Sequence, residues 1–364
     1  MLKVWDWEVK LDPLSKPSTL VVEVSTRCNF SCLHCFRQAS SSLVYADMGL
    51  GAFKAILQNA VDSGIRRLVF SGWGEPMVNP HFTEMLSEAR RAGLSVAVNT
   101  NGAMLGDLAK TLLDNSVEEL YVSIDAVDVV LYEKIRVGGD LTALLRGLKK
   151  LTALKRSRGS SVPVVKAIFT VNKLNIDQLP KLVEASGELG VDELYLSHYI
   201  HFAKGPSNIE CLSDPDCVVK FRKYAEKMQS RLIDTPIKLW IPNLNSYTSR
   251  QCPYAYNKAL FVRVDGKVAP CMYLAYTWQT RIMGVERDIR EFVLGDALRE
   301  NIAEIWRRNA YMWFKLYFNY MPSCLDCNMV ETCSYTKTSE VDCWGNVPNC
   351  AHCPYHYRLA YCPV

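Results

Sequence analysis

Three cysteines near the start of the chain, Cys28, Cys32 and Cys35, stand in a C-x3-C-x2-C spacing. A compact loop of that kind can aim three thiolates at three irons of one cubane, because iron–sulfur clusters take cysteine thiolates as ligands. Three ligands leave one iron open, and an open metal position is where substrate chemistry takes place. The rival chemistry is a zinc site with His34 as a fourth ligand. A second cysteine field lies toward the other end. Cys252, Gly266 and Cys271 give C-x13-G-x4-C, and Cys324, Cys327 and Cys333 give C-x2-C-x5-C. Cys343, Cys350, Cys353 and Cys362 follow. The C-x2-C pairs Cys324/Cys327 and Cys350/Cys353 also fit a pair of zinc ribbons. Cys211 and Cys217 stand apart from both groups and read as free thiols.

The elements around the first triple argue for the cluster. Residues 20–26 form a β-branched run that reads as a strand, and the triple follows it directly. The chain then alternates. Helices are expected near 50–62, 82–92, 105–115, 140–155 and 175–188, and strands near 66–71, 94–100, 119–124, 163–171 and 192–198. Gly64, Gly93 and Gly190 fall where left-handed residues end helices. Six strands with helical crossovers imply a parallel sheet, and six units are too few for a full eightfold barrel. The expected fold is α/β: a partial (β/α)6 barrel with its site at the C-terminal strand ends, followed by a loop-rich iron–sulfur unit organised by metal. The expected division is 1–200 for the barrel, 201–250 for a linker with a bridging helix and strand, and 251–364 for the cluster unit. Residues 201–218, broken by Pro206 and Pro215, read as the linker itself.

Composition agrees with such a protein and narrows its setting. The chain has 364 residues, 42 basic and 38 acidic, for a net charge of +4. That near-balance gives no electrostatic case for a nucleic-acid partner. The opening MLKVWDWEVK does not read as a signal peptide, and no apolar run is long enough to span a bilayer, so a cytoplasmic protein with no membrane partner is expected. In a large chain of that kind, fourteen cysteines read as metal ligands or redox groups rather than disulfides.

The motifs together resemble the radical SAM superfamily, whose enzymes cleave S-adenosylmethionine (SAM) at a 4Fe–4S cluster. Cys28, Cys32 and Cys35 look like its signature, with His34 a common variant before the last cysteine. The resemblance implies that these three residues are both the metal ligands and the catalytic centre. Ser71-Gly-Trp-Gly-Glu75-Pro76 resembles the family's Gly-Gly-Glu-Pro motif, with Trp73 in place of one glycine. Gly72, Gly74 and Glu75 would then hold the methionine end of SAM. Asn99 and Asn101 end the third strand, Ser123 and Asp125 the fourth, and Arg136 and Asn175 lie where the family places polar SAM contacts. The implied reaction is one-electron cleavage of SAM to a 5′-deoxyadenosyl radical, which removes a hydrogen atom from the substrate.

The second field resembles the SPASM domain of peptide- and cofactor-modifying maturases, which carries two further 4Fe–4S clusters. The likeness holds up to Cys333, after which Lys337 stands where the family has a cysteine. Cys362 is the preferred closing ligand for Cys324, Cys327 and Cys333, with Cys343 or Cys353 completing the cluster of Cys252 and Cys271. The closing segment Asp342 to Pro354 resembles the tail of the maturases that serve tungsten-containing aldehyde oxidoreductases. That likeness implies a pterin cofactor or polypeptide of such an oxidoreductase as substrate, and a low-potential donor such as ferredoxin or flavodoxin. A peptide-modifying enzyme, of the anaerobic sulfatase maturase or thioether-forming kind, and a non-catalytic iron–sulfur or zinc scaffold are the alternatives. The aromatic run Tyr311 to Tyr320 reads as a helix packing the cluster unit on the barrel.

Overall fold

A computed structural model describes residues 2–9, 16–233, 235–246, 250–362 and 364. A short antiparallel hairpin, β1 (Leu2–Val4) and β2 (Trp7–Val9), comes first. The sheet that follows is built from strands β3 (Thr19–Val22), β4 (Arg67–Phe70), β5 (Ser95–Thr100), β6 (Glu119–Ser123), β7 (Val164–Val171) and β8 (Glu193–His198). These six pair in chain order and in parallel, with Leu20 opposite Leu68 and Val122 opposite Ala167. Their near-continuous apolar runs suit a sheet covered on both faces.

Helices cover its outer face because their apolar residues repeat at helical spacing. In α1 (Leu50–Asp62) these are Phe53, Ile56, Leu57 and Ala60, and in α2 (Phe82–Arg91) they are Phe82, Met85, Leu86 and Ala89. Next come α3 (Leu105–Asp114), α4 (Val129–Ile135), α5 (Leu141–Ser157) and α6 (Leu179–Glu188). Side chains of Asp128 and Asp140 cap α4 and α5 by accepting from the N–H groups of Leu131 and Ala143. The expected helix ends at Gly64, Gly93 and Gly190 carry φ of +83°, +80° and +68°.

The interval read as a linker is more ordered than its composition suggests. It holds a two-residue strand, β9 (His201–Phe202), and a disulfide joining Cys211 to Cys217, which corrects the reading of those two as free thiols. Pro215 does not interrupt structure. It occupies the first turn of α7 (Pro215–Leu232), where its missing N–H costs nothing, and Asp214 caps the helix.

The rest of the chain returns to the barrel. Strand β10 (Lys238–Trp240) pairs in parallel with β8, and after α8 (Pro253–Tyr256) strand β11 (Ala259–Val262) pairs in parallel with β3 at the opposite edge. β12 (Lys267–Ala269) continues from β11, β13 (Trp278–Ile282) and β14 (Val285–Ile289) form a hairpin sheet with β9, and β15 (Gly295–Asp296) closes on β12. Among the described residues the main sheet therefore has ten strands, and residues on both sides of position 250 contribute to it. Helices α9 (Ile302–Arg308) and α10 (Ala310–Tyr317) precede a cysteine-rich tail, and Trp306 stacks on Trp313 at 4.3 Å. Of the aromatic run, α10 buries Trp313 together with Met312 and Leu316 and leaves Tyr311, Tyr317 and the following Phe318 exposed. Among the described residues, no helix is long and apolar enough to cross a membrane.

Candidate functional site

The loop after β3 is tied down before it presents its cysteines. Ser25 Oγ donates to Asp47 Oδ1 (2.6 Å) and Thr26 Oγ1 to the Val44 carbonyl (2.7 Å). Arg37, nearly buried, donates to the Phe30 carbonyl at 3.0 Å, and Gln38 donates to the Cys32 carbonyl at 2.9 Å. The Ser31 and Leu33 N–H groups donate to Val137 and Ile135 at the end of α4. Such a loop has few ways to move its thiols.

Cys28, Cys32 and Cys35 line one cavity of about 230 Å³ at the C-terminal mouth of the barrel. His34, Gly72, Gly74, Glu75, Asn99, Asn101, Ser123 and Arg136 line the same cavity. The segment Gly72–Glu75 lies against the cysteine loop because both its glycines lack side chains. A Cβ at Gly74 would sit 2.4 Å from the Ser25 and Arg27 carbonyl oxygens, and one at Gly72 would sit 2.5 Å from Glu23 Cγ. The Glu75 N–H donates to the Arg27 carbonyl at 2.8 Å, stitching the two segments together.

Glu75 is buried and accepts from the N–H groups of Asn101 (2.6 Å) and Met77 (3.1 Å) and from Thr100 Oγ1 (2.8 Å). Burial pushes its pKa up, against the pull of these donors. Asn101 Nδ2 donates to Asn29 Oδ1 at 2.7 Å and reaches Cys28 Sγ at 3.7 Å. Asn99 donates to Ser71 Oγ at 3.1 Å.

Two residues expected to touch SAM stand behind the wall instead. Asp125 is fully buried, and its carboxylate is taken up by Arg136 Nη1 (2.5 Å), the Thr170 N–H (2.7 Å) and His34 Nε2 (3.4 Å). Asn175, also fully buried, donates to the carbonyls of Asp125 and Thr170, both at 2.9 Å. Their geometry is that of residues positioning Arg136 and the strand ends. Burial lowers the pKa of His34, which favours a neutral ring. With Nε2 turned to Asp125, His34 Nδ1 is left buried and without a hydrogen-bond partner. Among the described residues, no three His, Cys, Asp or Glu side chains meet the geometry of a single metal ion.

The sequence reading missed several wall residues. Thr100, Ile168, Thr170 and Ser197 lie at or near the ends of β5, β7 and β8, and strand alternation could have found them. Met272, Tyr355 and Tyr361 come from the far end of the chain, and no local signal marks them.

The twelve free cysteines separate into three groups. Beyond the first triple, Cys252, Cys271, Cys350 and Cys353 line a second cavity with Tyr254, Tyr273 and Trp313, and the Cys362 thiol faces Cys271, Cys353 and Cys252. The other group is Cys324, Cys327, Cys333 and Cys343: Cys324 faces Cys343 and Cys333, and Cys343 faces Cys333 and Cys327. This reverses the preferred division of ligands. Asp342 accepts from the N–H groups of Trp344 and Asn346, both at 2.9 Å, making a turn that delivers Cys343 to its group. Past Cys353 the tail runs back to the barrel, where the His198 N–H donates to Leu359 (3.2 Å) and the Tyr361 N–H to Ser197 Oγ (3.1 Å), so Cys362 arrives beside Cys271. Lys337, in the place of the family's cysteine, lines a cavity with β13 and β14 residues.

Burial pushes the thiols of this inner group up, Cys353 to about 12, and they raise one another further. Thiols crowded in an apolar chamber are costly to ionise unless a cationic metal centre takes them as ligands, so the donor set fits iron–sulfur clusters.

Comparison with known proteins agrees. Residues 22–186 match the radical SAM superfamily, and residues 252–328 match SPASM, an iron–sulfur cluster-binding domain. The tungsten-containing aldehyde ferredoxin oxidoreductase cofactor-modifying protein of Pyrococcus furiosus is 31% identical over 355 residues, covering 95% of this chain and 97% of that protein. The PqqA peptide cyclase of Gluconobacter oxydans is 24% identical, covering 95% of this chain and 93% of that protein. Among solved structures, SuiB of Streptococcus suis bound to S-adenosylmethionine superposes with a TM-score of 0.63 at 16% identity, over 88% of this chain and 73% of that one. That last likeness speaks for the fold alone. With a full-length relative above 30% identity and both domain matches in place, the chain belongs to the radical SAM enzymes that carry a SPASM iron–sulfur domain, in the family of the tungsten-containing aldehyde ferredoxin oxidoreductase cofactor-modifying protein.

Proposed function

We propose that this enzyme is a maturase acting on the pterin cofactor or polypeptide of a tungsten-dependent oxidoreductase. The observation that carries the reading is the full-length similarity to a protein named for modifying such a cofactor. Cys28, Cys32 and Cys35 would hold the SAM-binding 4Fe–4S cluster, and Gly72, Gly74, Glu75, Asn99, Asn101, Ser123 and Arg136 would hold SAM against it. Bound there, cluster and SAM supply reductive cleavage of a carbon–sulfur bond and, through it, hydrogen-atom abstraction from the substrate. Two auxiliary clusters would occupy the groups of Cys324, Cys327, Cys333 and Cys343 and of Cys252, Cys271, Cys353 and a further tail cysteine. Residues 1–200 and 251–364 form the two functional units in this reading, with 201–250 between them.

The chain's own contribution is orientation and exclusion. Glu75, its oxygens already engaged by three donors, is a fixed anionic point for an ammonium group. Arg136, held by Asp125, is a fixed cation in the same lining. Ile168, Met272, Tyr355 and Tyr361 provide apolar and aromatic wall, which keeps water and stray hydrogen donors from the reacting centre. The electron would come from a ferredoxin- or flavodoxin-type donor in the cytoplasm, with no part for nucleic acid or a membrane.

The test is anaerobic incubation of the reconstituted enzyme with SAM, reductant and a tungsten oxidoreductase carrying its cofactor, followed by mass spectrometry of both. A mass change in cofactor or polypeptide, with 5′-deoxyadenosine formed, is expected. The similarity to a peptide cyclase favours peptide modification as the second reading. No change in the oxidoreductase, with turnover of a short precursor peptide, would replace the first reading by the second.

A further inference from the structure

Arg287, on β14, is 2% exposed and is among the largest fully buried side chains of the protein. Its Nη1 donates to the carbonyl of Thr336. Its Nε and Nη2 are also buried and have no hydrogen-bond partner, and although Arg287 lines a cavity with Glu286, Asp288 and Lys337, among the described residues no carboxylate is within ion-pair distance of it. A guanidinium stays charged in proteins, so this is a buried cation without a counter-ion, an arrangement heavily penalised unless something anionic lies beside it.

The surroundings identify what that is. Thr336 lies three residues after Cys333, and its own hydroxyl donates to the Cys333 carbonyl at 2.8 Å. Strand β14 runs along the segment from Cys333 to Cys343: the Ser339 N–H donates to the Asp288 carbonyl (3.1 Å), and the Arg290 N–H to Ser339 Oγ (2.8 Å). The groups facing the guanidinium are Tyr273, the Cys324 thiol and Tyr357, with His352 also near. The His352 ring is fully buried and, as an imidazole, supplies no negative charge.

We propose that Arg287 is the counter-charge of the auxiliary cluster held by Cys324, Cys327, Cys333 and Cys343, and that it raises that cluster's reduction potential. The inference rests on the assignment of a cluster to these four cysteines. Net charge and hydrogen bonds to sulfur set the potential of an iron–sulfur cluster. A cluster ligated by four thiolates becomes more negative on reduction, so a fixed cation beside Cys324 stabilises the reduced form more than the oxidised one.

The test is potentiometric titration, followed by electron paramagnetic resonance, of the anaerobically reconstituted full chain as wild type, Arg287→Met and Arg287→Lys. The auxiliary signal in question is the one lost in Cys343→Ala, and the radical SAM cluster is the one whose signal changes on adding SAM. In Arg287→Met the potential of the Cys343-dependent cluster should fall by at least 59 mV, a tenfold change in the one-electron equilibrium. The other two clusters should hold their potentials, and Arg287→Lys should recover more than half of the fall. Should the Met variant fail to load iron, Arg287→Gln, which can still donate to Thr336, carries the same expectation. An unchanged potential in a fully loaded neutral variant, or an equal fall in all three clusters, overturns the proposal. Iron content below three clusters in the wild type, or no signal that depends on Cys343, would remove the underlying cluster assignment and is visible before any Arg287 variant is made.

Discussion

Gly74→Ala is the smallest change that should disable the site, because the added methyl has nowhere to go. Its Cβ would lie 2.4 Å from the Ser25 and Arg27 carbonyl oxygens and 2.6 Å from the Thr26 carbonyl carbon. All three neighbours are backbone, so no rotamer change relieves the clash. The 25–27 segment would have to retreat by about 0.6 Å to reach the 3.0 Å floor of real Cβ contacts. Arg27 directly precedes Cys28, and its carbonyl accepts from Glu75 at 2.8 Å, so the retreat moves the proposed cluster ligand Cys28 and strains the link to the wall proposed to hold SAM. Overpacking of this kind costs about 1–3 kcal/mol.

Gly93→Ala supplies the control. Gly93 has φ +80° with nothing within 4 Å, so alanine there meets only the left-handed penalty of roughly 1–2 kcal/mol. The two variants should thus lose comparable stability but differ at the site. Gly74→Ala should lose about one cluster's iron and weaken SAM binding at least tenfold, while Gly93→Ala keeps both. Iron analysis and equilibrium dialysis of SAM read the difference. Gly74→Ala with full iron and wild-type SAM affinity would refute the packing argument.

Three further outcomes follow from the same geometry. Glu23 is fully buried, and desolvation lifts its pKa from 4.5 to about 7 despite hydrogen bonds from Tyr276 and the Trp73 and Val264 N–H groups. The folded state therefore holds this proton more tightly than the unfolded one, so stability falls as pH rises from about 4.5 to 7, by an upper bound of ~3 kcal/mol, and Glu23→Gln should flatten that slope in denaturant titrations at pH 5 and pH 8. Five half-buried cysteines gather where the proposed cluster would need four, and Cys350 alone of them also lines a neighbouring cavity with Lys315 and Asp342, so Cys350→Ser should keep full iron where Cys252→Ser and Cys271→Ser lose a cluster's worth. Trp73→Gly, which restores the family's glycine, should cost about 3–5 kcal/mol in urea denaturation, because Trp73 packs edge-on to Phe36 (4.6 Å), Tyr276 (5.2 Å) and Trp278 (5.7 Å).

The barrel was legible because its signals are local. Apolar periodicity in α1 and α2, β-branched runs in β3 and β7, and glycines just past helix ends all report on neighbours a few residues away. The gathering of Cys28, Gly74, Glu75, Asn101 and Ser123 at one mouth followed from the rule that parallel strands end on the same side. What escaped depends on distant partners. Asp125 carries the same side chain whether it meets SAM or Arg136, and only the fold shows that Arg136, His34 and Thr170 use up its oxygens. Helix α4 has seven residues, too few for a periodic pattern, and Pro215 reads as a breaker unless its place in the first turn is known. The grouping of Cys343 with Cys324 and of Cys362 with Cys271 was not legible because spacing along the chain does not reveal that the tail doubles back onto β8.

That return path explains how the two halves act as one site. Three cavity-wall residues each stand within two positions of a thiol in the inner cysteine group: Met272 follows Cys271, Tyr355 follows Cys353 by two, and Tyr361 precedes Cys362. The Trp73 indole N–H donates to the Met272 carbonyl at 3.0 Å, so the turn that lines the SAM wall is also bonded to the segment after Cys271. Loading metal into the inner group must fix these thiols, and with them the roof of the cavity over the first triple. The roof is then only as well placed as the auxiliary cluster is complete. Loss of that cluster should loosen substrate positioning before it affects the fold of the barrel, whose strands β3 to β8 pair continuously in parallel and bury most of the apolar core they share with β11 and β12. The separation of the two effects is measurable. With Cys271→Ser, 5′-deoxyadenosine should still form under reductant while its coupling to substrate modification falls at least tenfold. Equal loss of both would place the auxiliary cluster in the cleavage step itself, rather than in the roof that holds the substrate to it.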